Sequence, residues 1–367
     1  MLLVGMMALS AIAEKAGFFD WAASLTARAG GGSVLRLYGF VVLAGALITA
    51  TLSLDAMAIV LTPIIYGMVV RLRLSPMPFM FACVYTANTA SLFLPISNLT
   101  NLLAYDVFDL EFTKFTLIML IPATLSILAN ALILAGLFRK DLRGSYEQNL
   151  PSFVPENQRL FRMATGGVAG VLVAFFLAPI FGIPIGLVGL TVGALLVFVA
   201  RFRGWMALRG VAGNISWSIL ALVIGLFLVV QGVENVGLAS AVRRAFAAVA
   251  PGDGFLQILG IAVGSALGSN FINNVPMIVL ALSATEPLVS KGTLGFAAVY
   301  AVILGTNIGP NLTTVGSLAT LIWLTIICGK GMDVTAKDYL KVGAISTPVI
   351  LLVAAIGLWI SLEIFGG

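Results

Sequence analysis

Apolar segments long enough to cross a lipid bilayer recur along the whole chain. The runs 115–138, 163–181, 184–200 and 342–361 have the length that a helix needs to span the hydrocarbon core, roughly 17–25 residues. Hydrophobic residues make up 60% of the sequence and charged residues 10%, and the mean hydropathy is +1.10. Soluble domains do not have this composition. We therefore expect an all-α polytopic membrane protein with about ten membrane segments.

Several function classes are excluded by what the sequence lacks. It has no histidine, which excludes histidine-ligated zinc hydrolases and a Ser–His nucleophilic dyad. It also lacks a G-x-x-x-x-G-K-[ST] phosphate loop, so it does not hydrolyse ATP by that route. Cys83 and Cys328 lie in apolar surroundings and indicate neither a disulfide framework nor a zinc site. No cofactor is expected, and the net charge of +5 indicates cytoplasmic loops rather than nucleic-acid binding.

The positive charges predict how the chain is threaded through the membrane. The basic loop 139–162 is placed in the cytoplasm. If two segments are hairpins that enter and leave on one side, every Lys and Arg lies on the cytoplasmic side except Lys114, Arg243, Arg244 and Lys291. The predicted spans are 1–13, a hairpin 37–70, 77–105, 115–138, 163–181, 184–200, 216–234, a hairpin 255–285, 294–327 and 342–361.

An internal repeat relates the two ends of the chain. Asp55 aligns with Asn274 and Asn88 with Asn307, both at an offset of 219 residues, and Glu14 aligns with Glu234 at 220. The predicted topology gives the two copies opposite orientations, which is typical of secondary transporters with a site between the copies. The predicted divisions are 1–140 for the first inverted repeat, 141–215 for the cytoplasmic loop and two connecting spans, and 216–367 for the second repeat.

Polar residues cluster in "YTANTASLFLPISNLTNLL" (85–103) and "LGTNIGPNLTTVGSLATLIW" (304–323), which the repeat aligns. Pro95 and the pair Gly309–Pro310 are expected to break these helices, and broken helices in membranes line cavities or are buried in protein. Such side chains also simply hold helices together, but symmetric clusters beside breaks favour a binding site. The predicted solute-binding residues are Asn88, Thr89, Ser97, Asn98, Asn101, Asn273, Asn274, Asn307, Asn311, Thr313 and Thr314.

Asp55 is the acidic residue that the predicted spans place deep in the membrane, at the tip of the first hairpin. A carboxylate at the bilayer centre costs about 2.5–3.5 kcal/mol on insertion scales, so such residues usually mark ion pathways. We therefore predict that Asp55 carries the coupling proton. The alternative is a hairpin tip that reaches water, where the acid only caps a half-helix.

Four motifs make the sequence resemble the arsenical pump membrane protein family. They are "SLDAMAIVLTPIIYGMV", "ANTASLFLPISNLTNL", "GSNFINNVPMIVLALS" and "GTNIGPNLTTVGSLATLIW", and the likeness covers nearly the whole chain. The resemblance implies efflux of arsenite and antimonite across the bacterial inner membrane by proton antiport, or by coupling to a cytosolic arsenite-stimulated ATPase. It also implies two inverted repeats with re-entrant hairpins. A homodimer is a further expectation.

The front of the chain departs from this family, whose members carry one or two more spans. Only thirteen residues precede Glu14, fewer than the roughly twenty that a full span needs. We expect the sequence to begin inside a span.

Other function classes remain as alternatives. The nearest is a sodium-coupled carboxylate or anion carrier, or a sodium–proton exchanger, because amide and carbonyl oxygens at helix breaks suit sodium. An intramembrane aspartyl enzyme would need two carboxylates, whereas the spans bury Asp55 alone. A passive channel would be excluded by uphill transport.

Overall fold

The computed structural model describes residues 2–147, 153–206, 254–289 and 294–366, with a few separate residues between 221 and 246. All regular elements among these residues are helices, which confirms the predicted class. The α-helices are α1 Leu2–Lys15, α2 Phe18–Ala29, α3 Val34–Thr51, α4 Thr62–Arg71, α5 Met77–Ala90, α6 Leu99–Val107, α7 Phe112–Leu137, α8 Gln158–Leu177, α9 Ile185–Phe202, α10 Phe255–Ile272, α11 Asn274–Val289, α12 Leu294–Ile308, α13 Leu318–Gly329 and α14 Ala336–Phe365.

Six of the described helices are long and apolar enough to cross a membrane, namely α3, α7, α8, α9, α10 and α14. Polar side chains cap the N-termini of some of these helices. The Asn157 side chain caps α8 by accepting from the backbone N–H groups of Arg159 and Leu160, and Thr335 caps α14 by accepting from Asp338. The predicted span 216–234 lies outside the described residues.

Both predicted hairpins are helix pairs joined by a short break. Residues 52–55 separate α3 from a π-helical turn, Ala56–Leu61, which continues into α4. In the second hairpin, Asn273 alone separates α10 from α11, with φ of 74°. A non-glycine residue in this left-handed region is uncommon and marks a local constraint. The breaks therefore lie at the positions that the repeat aligned, Asp55 and Asn274.

The two predicted broken spans are also interrupted where proline and glycine predicted it. A 3₁₀ turn at Pro95–Ser97 lies between α5 and α6, and another at Gly309–Asn311 lies between α12 and α13. Each following helix is capped by a polar side chain: Asn98 accepts from the N–H of Thr100, and Ser317 accepts from the N–H of Thr320. These two caps are also 219 residues apart, so the repeat extends to the capping residues.

Helices α7 and α14, which end the first and the second copy, pack against each other and run in opposite directions. Gly357 faces Pro122, and one turn further along α14 the Ser361 hydroxyl donates to the Leu117 carbonyl at 3.4 Å. Residue numbers therefore rise along α14 as they fall along α7. Opposite directions of equivalent helices are what inverted copies require.

The second half of each broken span enters the core formed mainly by the other copy. Trp323 of α13 is fully buried among α1–α5 and stacks edge-on against Phe81 at 5.8 Å. Conversely, Leu103 and Ala104 of α6 lie in the core built around α10, α11, α12 and α14. This exchange brings the two breaks together between the copies.

Helix α2 was not anticipated from the sequence. It buries one face at the spacing of an amphipathic helix, with Phe19, Ala22, Ala23, Thr26 and Ala27 inside. The search for membrane-length apolar runs missed it because it has only 12 residues and a polar outer face.

The basic loops that were predicted on one side gather at one end of the molecule. The Tyr146 hydroxyl donates to the Ala27 carbonyl at 2.6 Å, and Ser33 pairs with Ser145. At the same end, the Tyr66 hydroxyl donates to the Lys330 carbonyl at 2.9 Å. Which side of the membrane this end faces stays a prediction.

Candidate transport site between the two copies

The two interrupted spans are joined by hydrogen bonds from one copy to the other. The Asn88 amide N–H donates to Asn311 Oδ1 at 2.8 Å, and the Tyr85 hydroxyl donates to the Asn311 backbone carbonyl at 2.7 Å. All three side chains are buried. The polar clusters predicted from the sequence therefore contact each other across the interface of the copies.

Asn307 is the centre of this network. Its side-chain oxygen accepts from Ser91 Oγ at 3.2 Å, from Thr100 Oγ at 3.0 Å and from Asn98 Nδ2, while its own N–H donates to Asn101 Oδ1 at 2.6 Å. An amide oxygen has two lone pairs, so this acceptor is fully used. Asn307 is 1% exposed. In this state of the molecule its oxygen has no capacity left for a solute.

A cavity of ≈ 160 Å³ lies beside this network, at the break of the first hairpin. Its walls come from α1, the first hairpin, the Pro95–Ser97 turn, the start of α11 and the start of α13. No lysine or arginine occurs among the described residues that line it. Its polar lining consists of Ser10, Glu14, Ser53, Asp55, Ser97, Asn98, Asn274 and Ser317.

Asp55 and Asn274, which the repeat aligned, line this same cavity. The backbone around Asn274 is fixed to the second break, because its N–H donates to the Gly316 carbonyl at 2.8 Å and Asn273 Nδ2 donates to Val315 at 3.1 Å. Asn274 Oδ1, however, is buried without a hydrogen-bond partner among the described residues. A buried acceptor without a partner is costly, which makes it a natural contact for a ligand that donates hydrogen bonds.

Comparison with known proteins shows to which family the chain belongs. The profile of the arsenical pump membrane protein family matches residues 1–362. The chain belongs to this family. Arsenical pump membrane proteins of Escherichia coli K12 and Yersinia enterocolitica are 32% and 30% identical to it, over 98% of this chain and 85% and 86% of their own lengths.

The fold also matches a solved transporter. The YdaH transporter of Alcanivorax borkumensis superposes with a TM-score of 0.68 over 100% of this chain and 86% of that chain, at 17% identity. At that identity the likeness concerns the fold alone. It supports the arrangement of hairpins and broken helices described above.

In this member of the family, the predicted solute-binding residues divide into two groups. Ser97, Asn98 and Asn274 line the cavity together with Asp55. The others lie outside its lining, and most are bound to protein groups. Asn88, Asn101, Asn307 and Asn311 form the network between the copies, Thr89 donates to Tyr85, Thr313 donates to Asn270, Asn273 holds Val315, and Thr314 is buried. Contact of any of them with solute stays a prediction.

Four polar cavity residues of this family member were missed by the sequence analysis, namely Ser10, Glu14, Ser53 and Ser317. Ser10 lies within the first apolar span and gave no separate signal. Ser317 could have been found, because it lies 219 residues after Asn98, the offset of the other repeat pairs. Ser53 is two residues from Asp55 and could have been included with it. Glu14 carried a weaker signal: it belongs to the repeat but lies at the end of a span, where a solvated acid is unremarkable.

Proposed function

We propose that this chain exports arsenite and antimonite from the cytoplasm in exchange for protons, by alternating access. The observation that carries the proposal is the cavity between the copies, which combines hydroxyl and amide groups with the Asp55 carboxylate and has no basic side chain among its described lining residues. The family membership supports the solute class. Two hairpin breaks and two broken spans converging from both copies support alternating access.

The solute and the cavity have matching chemistry. Arsenous and antimonous acids are neutral hydroxides at neutral pH, so they offer hydrogen-bond donors without a charge. Asn274 Oδ1 and the Asp55 carboxylate are acceptors, and the hydroxyls of Ser97 and Ser317 both accept and donate. A multiply charged anion would favour arginine or lysine partners, which this cavity does not offer.

Asp55 would couple the transport to protons. As a carboxylate it accepts hydrogen bonds from a solute hydroxyl; once protonated, it loses part of this capacity. Protonation from outside would therefore weaken binding and favour release, and loss of the proton to the cytoplasm would favour reloading. The same residue then binds solute and proton alternately, which is the simplest form of antiport.

The first test is transport by the unaltered chain. In everted membrane vesicles that contain it, an imposed proton gradient with an acidic lumen is expected to drive accumulation of radioactive arsenite, and an uncoupler should collapse that accumulation. Vesicles without the protein are the control. Accumulation that depends on sodium instead, or that needs ATP and an added ATPase subunit, would contradict proton antiport by this chain alone.

The unpartnered acceptor gives a second prediction. Asn274→Ala should raise the KM for arsenite about three- to tenfold, because one hydrogen bond contributes about 0.5–1.5 kcal/mol and 1.4 kcal/mol is a factor of ten. Thermal stability should change little, since Asn274 Oδ1 binds no described protein group. Ser269→Ala is a suitable control, because Ser269 is buried on α10 and bonds only its own helix at 2.8 Å. An unchanged KM in Asn274→Ala would remove Asn274 from the solute contacts.

A further inference from the structure

A second carboxylate lines the cavity and has no role in the function proposed above. Glu14 is the last cavity residue of α1, whose lining residues Leu2, Met6, Ser10 and Glu14 follow at a spacing of four. This spacing places them on one face of the helix. The face is apolar at Leu2 and Met6 and becomes polar at Ser10 and Glu14, so polarity along this wall increases towards the carboxylate.

Glu14 and Asp55 differ in exposure. Glu14 is exposed, whereas Asp55 is half-buried in the hairpin break. An ionisable side chain that is exposed in a membrane protein faces water rather than lipid, because lipid would make it costly. Glu14 therefore marks the point where the cavity meets water.

The charges around Glu14 identify this end of the cavity. Helix α2 brings Asp20, whose negative charge acts on Glu14, and Arg71 of α4 acts in turn on Asp20. Helix α9 packs parallel to α1, through Gly5 against Gly189 and Gly193, and carries Arg201 and Arg203 at its end. Helix α8 begins with Arg159 and Arg162, and Lys15 follows Glu14 on α1. The opening of the cavity at Glu14 thus lies at the end of the molecule that carries the basic loops. The predicted topology places these loops in the cytoplasm.

An independent observation shows that the space between the two acids is prepared for a ligand. Asn274 lines the cavity, is 3% exposed, and has an oxygen without a partner among the described residues. A solute or water molecule bound there would lie in the same enclosed space as both carboxylates. A chain of hydrogen bonds between them would pass through such an intermediate group, because they come from different walls of the cavity, α1 and the first hairpin break.

We propose that Glu14 is the carboxylate through which this cavity exchanges protons with water on the side of the basic loops. The inference rests on the proposed proton-coupled transport. The proton on Asp55 leaves the carboxyl oxygen, passes through the hydrogen-bonded group between the walls, and protonates the Glu14 carboxylate. Asp55 becomes an anion as Glu14 becomes neutral, so the charge of the cavity is unchanged. Glu14 then releases the proton to water and recovers its charge.

The test separates proton-coupled movement from movement of the solute itself. Glu14→Gln is compared with the wild type in everted vesicles, in two assays: arsenite accumulation driven by a pH gradient, and arsenite–arsenite exchange at equal pH on both sides. We expect driven accumulation to slow at least about tenfold, as for loss of a proton-transfer group, while exchange stays within about twofold. Glu14→Asp should restore much of the driven rate and shift its pH profile. Glu363→Gln, an exposed acid at the end of α14, is the matched control.

Three outcomes would overturn the inference. Driven accumulation that is unchanged in Glu14→Gln would remove Glu14 from the proton path while leaving the proposed function intact. An equal loss in both assays that Glu14→Asp does not reverse would assign Glu14 to structure or solute binding. Absence of arsenite accumulation in the wild type would overturn the proposed function, and the proton path with it.

Discussion

Asp55→Asn is expected to abolish uphill arsenite export, so that the accumulation ratio in everted vesicles falls to about one, because a carrier without a coupled ion only equilibrates its solute. The amide retains the shape of the carboxyl group and an accepting oxygen, but it cannot take up a proton. Arsenite–arsenite exchange should therefore persist. The loss should be specific to coupling rather than to folding.

The second copy supplies an argument that this variant folds. Asn274 occupies the position equivalent to Asp55, at the break of the other hairpin, so an amide is compatible with this local structure. Asp55→Glu is the conservative comparison and should retain part of the driven transport. Asp338→Asn is the control for removing an acid elsewhere: Asp338 is exposed at the start of α14, where its hydrogen bonds to Thr335 and Lys341 lower the pKa of its carboxyl group. Full accumulation by Asp55→Asn would refute the coupling role.

Asn307→Leu is expected to cause the largest loss of stability among the network residues. It would remove the four side-chain hydrogen bonds to Ser91, Asn98, Thr100 and Asn101. Hydrogen bonds between helices in membrane proteins contribute about 0.6 kcal/mol each on average. The expected cost is therefore about 2–3 kcal/mol, and more if the freed partners stay buried without new ones. Transport should fall with the folded fraction.

Asn88→Leu is the matched comparison, because Asn88 occupies the equivalent position in the first copy. Its amide makes a single side-chain bond, to Asn311 at 2.8 Å, so the expected cost is about 0.6 kcal/mol. The two variants are compared by unfolding of the purified protein in detergent with increasing denaturant. The geometry indicates that the four bonds of Asn307 stabilise the contact between the copies more than the single bond of Asn88 does. Equal destabilisation by the two variants would contradict this.

The hydrogen-bonded network changes how the polar clusters are understood. Asn307 and Asn101 lie beside the breaks of the two copies, as a binding site would require, yet the oxygen of Asn307 and the amide of Asn101 are used by protein partners. They connect the copies in this conformation. Alternating access requires the copies to move relative to each other, so these bonds would have to break or rearrange during the cycle. Residues of this kind set the energy of the conformational change even without contacting the solute.

Much of the fold was predictable because its signals are local. Membrane-length apolar runs gave the spans, Pro95 and Gly309–Pro310 gave the helix breaks, and the 219-residue offset related the two copies. Each signal depends on backbone geometry or hydrophobicity within a few residues, which the sequence contains directly. Helix α2 was missed because a short amphipathic segment has no membrane-length signal.

What the sequence by itself determined is the class of the protein, the positions of its breaks, its repeat and the place of Asp55 at one of those breaks. Only the tertiary structure decided which polar groups are used and which are free. Asn307 and Asn274 have the same side chain and each lies beside a helix break, but the first meets four partners from the other copy, whereas the oxygen of the second meets none in the part of the chain that the structure describes. The physical reason is that a hydrogen bond is satisfied by a group nearby in space, and here those groups lie about two hundred residues away in the chain. The meeting of Glu14 with Asp55 in one cavity was decided in the same way, because α1 and the first hairpin break form walls of the same cavity.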